Sequence, residues 1–424
     1  MKDAAIRQDL LEAAVERLPQ DGLSALRKSA LERFAGSGFP GPAQEDWRYT
    51  NLAPAIELSN AWLVERAGGR AANDAAAPLA HPSMDAIDAH WLRIHDGLPL
   101  AEDFARLVDA GLDVTTLSAG GAVPVATDDA LTNFNSALLE DGIRIRVPQG
   151  AVVDKPIGLL LTGNAAVSQA RVVLELGANA SMQLIENHVA VADANYTNVV
   201  VEARLGRASA LDVLRLQQLG ERQLLTGRFA ADLAADAMLR HVGLDLGGAL
   251  VRNDVAVNIG APGASAALDG LYLASGKQHI DNHLRVDHRV GPATSRVAYK
   301  GILNDRARCV WNGKAIVHDG ADGTDAEQSN HNLLLSEQAE IDTKPELEIY
   351  ADDVKCAHGA TVGQLDRTAL FYLRSRGISR EDAAAMLTRA FAAEVLGRLS
   401  IAAAAGYVAE LLNRRLETLA RAGA

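Results

Sequence analysis

The chain has 424 residues, 48% of them hydrophobic, and a formal net charge of −13. The hydrophobic fraction argues against a disordered chain, and the negative charge disfavours nucleic acid as a main partner, because phosphate binding requires a basic face. This length exceeds one ordinary core, so two or three domains or one elongated repeat body are expected.

Targeting signals and disulfides are not indicated by the sequence. The N-terminal stretch MKDAAIRQDLLEAAVERL lacks the continuous apolar segment of a secretion signal. No apolar run is long enough and free enough of charge to predict a membrane span. The only two cysteines, Cys309 and Cys356, cannot form a disulfide framework. These features predict a soluble cytoplasmic protein with reduced thiols.

Residues 1–125 are predicted to form an N-terminal helical region. Apolar residues recur at helical spacing near the N-terminus, and residues 99–114 indicate another helix. Between them, EDWRYTNLAP (45–54) concentrates Trp47 and Tyr49 among polar residues. We interpret this stretch as a packed aromatic corner, with a binding role as the alternative.

Residues 126–358 are predicted to form a β-solenoid core. Short runs rich in Val, Ile and Leu, such as IRIRVP, RVVLELG and ELEIYADDV, follow one another without a helical period between them. The breaks LGANASMQL, LGRASALDV, LAADAMLRH and IGAPGASAALDG resemble one another, and their first residues are 29, 28 and 26 positions apart. This recurrence of strand and tight turn favours stacked rungs over the alternative, an irregular β-sandwich.

Residues 359–424 are predicted to form a C-terminal helical domain. LDRTALFYLRSRG ends in basic residues before Gly377, which is typical of a helix C-terminus. In SRED, Ser379 and Asp382 have the spacing of a capping box. Two further apolar stripes define the last helices. These Ala-rich helices have little core of their own, so we expect them to pack on the β-body or on a partner.

Several common catalytic motifs are absent from the sequence. There is no G-x-x-x-x-G-K-[ST] phosphate loop, no G-x-S-x-G, no H-E-x-x-H and no C-x-x-C. Without the phosphate loop, we do not expect nucleotide hydrolysis by this chain, and without the next two motifs we do not expect two common classes of hydrolase. Without C-x-x-C, the sequence does not predict a zinc or iron–sulfur site held by this chain alone.

The remaining candidate chemistry is the pair Cys356 and His358, between a strand-like run and a helix. Residues two apart in an extended segment face the same side, so Cys-x-His can supply two ligands to zinc or iron. Lys355 beside them can favour the thiolate. Because iron–sulfur clusters use about four protein ligands, further ligands must come from elsewhere in the chain or from another subunit. The chain-internal candidates are Cys309, His318 and His331.

Structural interpretations of these residues remain open. Cys356 and His358 can instead be a buried small thiol and a histidine bonded to backbone, because free cysteine is often a core residue. In KQHIDNHLRVDHRV (277–290), a metal site is conceivable, but a solvated polar face of a sheet is favoured. The histidines of that stretch are His279, His283 and His288.

A long C-terminal stretch resembles a known family. TDAEQSNHNLLLSEQAEIDTKPELEIYADDVKCAHGATVGQLDRTALFYLRSRGIS (324–379) closely resembles the core of the SufB/SufD family of the SUF iron–sulfur cluster assembly machinery. The resemblance extends more loosely to EDWRYTNL, to LLEDGIRIRVPQGAVVDKPI and to the last helices. KCAHGATVGQLDRTALFYLRSRGI is similar to the SufD branch. SufB-like chains carry an EHEA-type sequence at this junction, and commonly an N-terminal cysteine-rich motif that this chain lacks.

The resemblance implies a right-handed parallel β-helix between two helical regions, and a non-catalytic component of the assembly scaffold. It implies pairing with a SufB-like paralogue through the end of the β-helix, and with a SufC-like ABC-type ATPase through the C-terminal helices. Cys356 and His358 would form half of a composite site at the paralogue interface, where iron or a nascent cluster is held transiently and not tightly. A homodimer through the same edge stays open. We also hypothesise that ATP-driven movement of the C-terminal helices reaches residues 352–363.

The expected ATPase-binding residues lie in the C-terminal helices. They are Phe371, Tyr372, Arg374, Arg376, Phe391, Glu394 and Val395. Two alternatives to the assembly role are a homo-oligomeric structural β-solenoid and a carbohydrate-active β-helix enzyme. The enzyme would require clustered carboxylates on one face of the rungs.

Overall fold

The computed structural model describes residues 5–68, 80–120 and 129–422. Its centre is a stack of parallel strands arranged in two sheets, with helices before and after the stack. This arrangement confirms the predicted fold class, a mainly β protein with a parallel solenoid core between N-terminal and C-terminal helices.

Four of the N-terminal helices, those at residues 8–16, 24–37, 53–67 and 130–137, pack together and against the starts of several solenoid strands. Phe34 and Phe134 form part of their shared core, with ring centroids 5.2 Å apart. The last of these helices is capped by Asp129, whose carboxylate accepts a hydrogen bond from the Thr132 N–H at 2.9 Å. The helices are α1 (Gln8–Glu16), α2 (Ser24–Ser37), α3 (Ala53–Ala67), α4 (Pro82–Ala86), α5 (Phe104–Asp109) and α6 (Ala130–Ala137).

From residue 143 onward, the strands alternate between two sheets along the chain. They are β1 (His90–His95), β2 (Leu98–Pro99), β3 (Asp113–Thr116), β4 (Ile143–Val147), β5 (Ile157–Thr162), β6 (Val167–Leu176), β7 (Ser181–Val189), β8 (Tyr196–Leu205), β9 (Ala210–Gln218), β10 (Leu224–Leu233), β11 (Met238–Asp245), β12 (Leu250–Ile259), β13 (Ser265–Ala274), β14 (His279–His288), β15 (Thr294–Leu303), β16 (Arg308–Val317), β17 (Asp325–Leu334), β18 (Glu340–Ile349) and β19 (Lys355–Gly363). Sheet A has the order β19-β17-β15-β13-β11-β9-β7-β5-β1-β2, and sheet B has the order β18-β16-β14-β12-β10-β8-β6-β4-β3.

The predicted repeat corresponds to the rungs of the solenoid. The residues that begin the four similar breaks lie in register on neighbouring strands of sheet B: Leu176, Leu205, Leu233 and Ile259. Each break is a turn that leads to sheet A and contains one residue with positive φ, and these residues are Asn179, Ala208, Asp236 and Gly263. Main-chain hydrogen bonds join successive turns, as between the Asn179 N–H and the Arg207 carbonyl at 2.8 Å. The sequence period therefore marks equivalent positions in the stack.

Secondary structure departs from the predicted regions in three places. The strands β1, β2 and β3 lie within residues 1–125, where only helices were expected, and β1 pairs in parallel with β5. The four central residues of β1 are all buried, so the strand lacks the alternation that identifies a half-buried strand. Helix α6 lies within residues 126–358, and β19 continues to Gly363, past the expected end of the solenoid.

The aromatic corner predicted at 45–54 is confirmed. Trp47 is buried on the outer face of sheet B, where the Arg252 guanidinium lies 4.2 Å from the centre of its ring. Arg252 also forms an ion pair with Asp281 at 2.7 Å, and the Thr50 hydroxyl donates a hydrogen bond to the same carboxylate. The prediction of a solvated polar face at 277–290 is therefore wrong, because the N-terminal segment covers that part of β14.

The last two C-terminal helices pack on the outer face of sheet A through a continuous apolar cluster. The predicted capping box is confirmed, because Ser379 Oγ accepts a hydrogen bond from the Asp382 N–H at 3.0 Å. Gly377 has a φ of 86°, as expected for the residue that ends a helix. The helices are α7 (Arg367–Ser375), α8 (Arg380–Leu396) and α9 (Ala405–Ala422). Among the described residues, no helix has both the length and the apolar character needed to cross a membrane.

Candidate functional site

The last two strands, β18 and β19, form the terminal rung of the solenoid. Among the residues that the structure describes, β18 pairs only with β16 and β19 pairs only with β17, so each has one unpaired edge. Residues of β19 are exposed except Cys356, which is half-buried, whereas the equivalent residues of β17 are mostly buried. An unpaired and exposed strand edge is a template for pairing with another chain.

The main-chain groups of the terminal rung alternate between the paired edge and the free edge. The Lys355 N–H donates to the Thr324 carbonyl at 2.8 Å, and the Glu340 N–H donates to the Ala307 carbonyl at 2.9 Å. Because successive N–H groups of a strand point to opposite edges, the even-numbered residues of β19 direct their N–H groups away from β17. On β18 the odd-numbered residues direct their N–H groups away from β16. Pro345, which has no N–H, lies at one of these positions.

The two edges differ in how far they are protected against pairing. Strand β18 carries charged side chains at every second position on its outer face, in addition to Pro345, and both features protect natural edge strands. Strand β19, with the sequence KCAHGATVG, has small residues and glycine instead. The free edge of β19 is therefore the less protected of the two.

The carboxylates on the outer face of β18 are all paired with neighbouring side chains. Asp342 lies 3.0 Å from Arg308, and Glu346 lies 3.1 Å from Lys344. Glu340 and Glu348 are paired in the same way, with Arg308 and Lys314. A glycosidase needs one carboxylic acid with a raised pKa, whereas hydrogen bonding to Lys314 lowers the pKa of Glu348. This face does not favour the carbohydrate-active alternative.

Cys356 and His358 lie on β19 with their side chains on the same face, the face that continues the interior of the solenoid. Their register partners on β17 are Ala326 and Gln328, which are both buried. Cys356 is half-buried and His358 is exposed, because no further rung in the described part of the chain covers them. The two predicted ligands are thus brought together at the open end of the stack.

Burial raises the pKa of the Cys356 thiol, and Asp325 adds to this effect. The expectation that Lys355 favours the thiolate is wrong, because adjacent residues of a strand point to opposite faces. Lys355 acts instead on the Asp325 carboxylate, whose pKa it helps to lower after the larger contribution of Arg296. The thiol at this site is therefore mainly protonated near neutral pH.

The chain-internal candidates do not complete a metal site around Cys356 and His358. Within the described ranges, no group of three or more His, Cys, Asp or Glu residues could hold a metal ion. Cys309 is fully buried in the solenoid, and burial raises its thiol pKa far above the usual value. His318 contacts Asp287 at 2.9 Å, and His331 contacts Thr361 at 2.8 Å.

The three histidines of 277–290 also have other partners. His279 shares a hydrogen bond with the Thr50 hydroxyl at 2.8 Å, and His283 lies 3.1 Å from Asp281. His288 lies inside the solenoid and contacts Ser295. Each ring therefore has a structural contact, and the metal alternative for this stretch receives no support.

A layer of hydrogen-bonded polar groups lies beneath the terminal rung. The Tyr272 hydroxyl donates to Asn332 Oδ1 at 2.5 Å and accepts from Asn330 Nδ2 at 3.1 Å. The Thr343 hydroxyl of β18 donates to Asn330 Oδ1 at 2.9 Å. Since buried polar groups that satisfy one another are stable in a core, the solenoid can end here without exposing an apolar interior.

The predicted ATPase-binding residues divide into two groups. Helix α7 has no buried residue, and its Phe371 and Tyr372 side chains are 73% and 56% exposed. Arg374 and Arg376 on the same segment are also exposed. These four residues are available to a partner.

The other three residues, all on α8, contact the solenoid. Val395 is buried in the apolar cluster between the helices and sheet A. Phe391 lies under the Lys300 ammonium, with 4.4 Å from the nitrogen to the ring centre, and Glu394 forms an ion pair with the same lysine. These residues hold α8 on sheet A, a role that no pattern in their helix indicated, because Lys300 lies far away in sequence.

Comparison with known proteins identifies the family. Residues 159–391 match the family described as "SUF system FeS cluster assembly, SufBD core domain". The sequence is 31% identical to the iron–sulfur cluster assembly protein SufD of Escherichia coli K12, over 86% of each chain.

The chain belongs to the SufBD family. An iron–sulfur cluster assembly SufBD family protein of Mycobacterium leprae is 30% identical, over 89% of this chain and 92% of its own. Another, from Synechocystis sp. PCC 6803, is 28% identical over 96% of this chain and 94% of its own. The predicted resemblance is thus confirmed, and the chain is a SufD-like protein of iron–sulfur cluster assembly. The SufBD core match spans both the terminal rung and helix α7.

Proposed function

We propose that this SufBD family chain is a non-catalytic component of a cytoplasmic assembly scaffold. In this proposal, the free edge of β19 pairs with a paralogous solenoid of the SufB type, and α7 binds an ABC-type ATPase of the SufC type. Iron or a nascent cluster is held transiently at the paired ends. The observation that carries the proposal is the placement of Cys356 and His358 on an exposed and unprotected strand edge.

The free edge of β19 supports pairing with a second solenoid. A partner strand can continue sheet A with main-chain hydrogen bonds, and the small side chains of β19 leave room for it. Ile349, Tyr350 and Val362 add exposed apolar surface at the same end. When the paralogue is absent, the same edge can pair two copies of this chain.

Helix α7 supports binding of a separate ATPase. Phe371 and Tyr372 form an exposed aromatic pair, and Met386 on α8 adds to the exposed apolar surface of the C-terminal helices. Arg376 stacks on Tyr372, with 5.2 Å between the guanidinium carbon and the ring centre. Exposed aromatic and arginine residues are enriched in protein interfaces. This chain has no phosphate loop, so nucleotide hydrolysis would belong to that partner.

The composite nature of the metal site follows from its ligand count. His358 provides an exposed imidazole, and Cys356 provides a thiol that must lose its proton before it can bind iron. Two ligands do not hold a cluster, so the paralogue would supply the others across the paired ends. Because His358 is exposed whereas Cys356 is half-buried, His358 is the principal ligand of this half-site.

Substitution of His358 tests the proposal. We expect His358→Ala to lower the cluster content of the co-expressed complex by about tenfold or more, as loss of groups at a metal site commonly does. Cys356→Ser is expected to lower the cluster content by less, because the wild-type Cys356 thiol is mainly protonated. Cluster content is measured as iron and acid-labile sulfide per complex after co-purification with the paralogue and the ATPase.

His318→Ala is the matched control, because His318 lies on a turn and contacts Asp287. It should leave both the complex and its cluster content unchanged. Unchanged cluster content in His358→Ala, with the complex intact, would show that this chain contributes no ligand.

A further inference from the structure

One row of side chains on the outer face of sheet A leads from the C-terminal helices to the terminal rung. Lys300 on β15, His331 on β17 and Thr361 on β19 are register partners. In the rungs before them, the same row holds Leu244 and Leu271, which pack under the helices. The row thus passes from the contact surface of α8 to the strand that carries Cys356.

Lys300 fixes the helical end of this row. Its ammonium group forms an ion pair with Glu394, donates to the Phe391 carbonyl at 3.3 Å and lies over the Phe391 ring. The lysine side chain is mostly buried, so these contacts are screened less than those of a surface pair. The hydrogen bond from Lys300 is also the main cause of the lowered pKa of Glu394, to which His331 adds a smaller electrostatic effect.

His331 links this contact to the terminal strand. One of its ring nitrogens, Nδ1, lies 2.8 Å from the Thr361 hydroxyl on β19. Between His331 and α8 there is a cavity of about 40 Å³, lined also by Lys300, Glu394 and Arg398. A polar cavity of this size has room for water, so the space between the helix and the imidazole is not filled by direct side-chain packing.

We propose that His331 is a positioning residue that couples α8 to β19. When Glu394 of α8 is paired with Lys300, the imidazole of His331 stays in its row. It then keeps Thr361, and with it the terminal strand, in place. Displacement of α8 releases the ring and loosens β19, which increases the access to Cys356. Only the physiological cause of that displacement rests on the proposed function, in which a partner binds the neighbouring α7.

Alkylation of Cys356 measures this coupling in the isolated chain. The chain has only two thiols, and Cys309 is 0% exposed, so native alkylation by iodoacetamide reports Cys356. Lys300→Met removes the ion pair at the helical end of the row. We expect the alkylation rate to rise about threefold to tenfold, within the range of energetic coupling between linked sites.

A double-mutant cycle with His331→Ala tests whether the coupling between α8 and β19 passes through His331. His331→Ala alone should also raise the rate, and Lys300→Met should add little in that background, because coupled residues are not additive. His331→Gln, which can keep a hydrogen bond to Thr361, should restore a rate near that of the wild type. Full additivity of Lys300→Met and His331→Ala, or no effect of Lys300→Met, would overturn the proposal.

Two controls separate coupling from loss of structure. Tyr407→Phe removes a hydrogen bond between α9 and Gln218 on β9, three rungs before Lys300, and should leave the rate unchanged. Alkylation of Cys309 would reveal general unfolding. If Lys300→Met shows such unfolding, Glu394→Gln removes the same ion pair through its more exposed partner. No partner is needed in these measurements, so failure of partner binding would contradict the proposed function and leave the coupling standing.

Discussion

Arg252→Met is expected to lower the free energy of unfolding by about 3–5 kcal/mol, because it leaves a buried carboxylate without its counter-charge. Arg252 bridges Asp281 at 2.7 Å and Asp254 at 2.8 Å, and it donates to the Asp46 carbonyl at 2.9 Å. The Asp281 side chain is only 1% exposed. Loss of the guanidinium would therefore detach the segment around Trp47 from sheet B.

The pH dependence of this effect has a defined sign. Burial alone would raise the pKa of Asp281, but Arg252, His283 and Thr50 hold it well below its usual range. In the wild type, the stabilisation is present above the unfolded pKa and is lost as the pH falls through the lower folded pKa. In Arg252→Met we expect burial to raise the pKa of the Asp281 carboxyl, so that protonation at lower pH removes the uncompensated buried charge. The difference in stability between variant and wild type should narrow as the pH falls.

Urea-induced unfolding at several pH values measures both effects. Arg285→Met is the matched control, because Arg285 pairs with Asp287 on the same strand but is 52% exposed. The Asp287 side chain is buried, but it keeps its contact with His318 at 2.9 Å when Arg285 is removed. Because the Arg285 guanidinium is half exposed to solvent, its ion pair contributes about 0–1 kcal/mol, and this variant should remain close to the wild type. Equal losses of stability in the two variants would contradict the central role of Arg252.

Ala360→Pro is expected to weaken pairing at the terminal rung strongly and to leave the fold intact. Its N–H points to the free edge of β19, so proline removes no bond to β17 but blocks a partner strand. Gly359 before it tolerates the restriction that proline imposes on the preceding residue. We expect the affinity for the paralogue to fall about 100-fold, equivalent to about 3 kcal/mol.

Ala357→Pro is the matched variant at this strand. The N–H of Ala357 points toward β17, so proline there removes a bond within the solenoid and should destabilise the terminal rung itself. Binding is measured by calorimetry and stability by thermal unfolding. Wild-type affinity in Ala360→Pro would show that the edge of β19 is not the contact.

The local rules of the chain predict much of the fold. Leu176 and Leu205 are equivalent because each ends a strand before a tight turn, and the turn signals lie in adjacent residues. The capping box at Ser379 and the stop at Gly377 are likewise local. Short turn patterns that recur 29, 28 and 26 positions apart were therefore sufficient for the rungs, and patterns within one turn were sufficient for the C-terminal helix ends.

Features that depend on distant residues could not be predicted in the same way. Asp281 is buried because Thr50, 231 positions earlier, lies against it. Strand β1 is covered on both faces and lacks an alternating pattern. At the candidate site, the motif placed Cys356 and His358 together, but the effect of burial on the thiol and the link from His331 to Thr361 require the packed stack.

Hydrogen exchange at β19 tests the central claim most directly. The amides of Cys356, His358, Ala360 and Val362 point to the free edge and have no partner strand among the described residues. Addition of the paralogue should slow their exchange by at least about tenfold, because each would then donate to a strand of the partner. Unchanged exchange at these four amides, in a chain that is fully bound to the paralogue, would contradict the account.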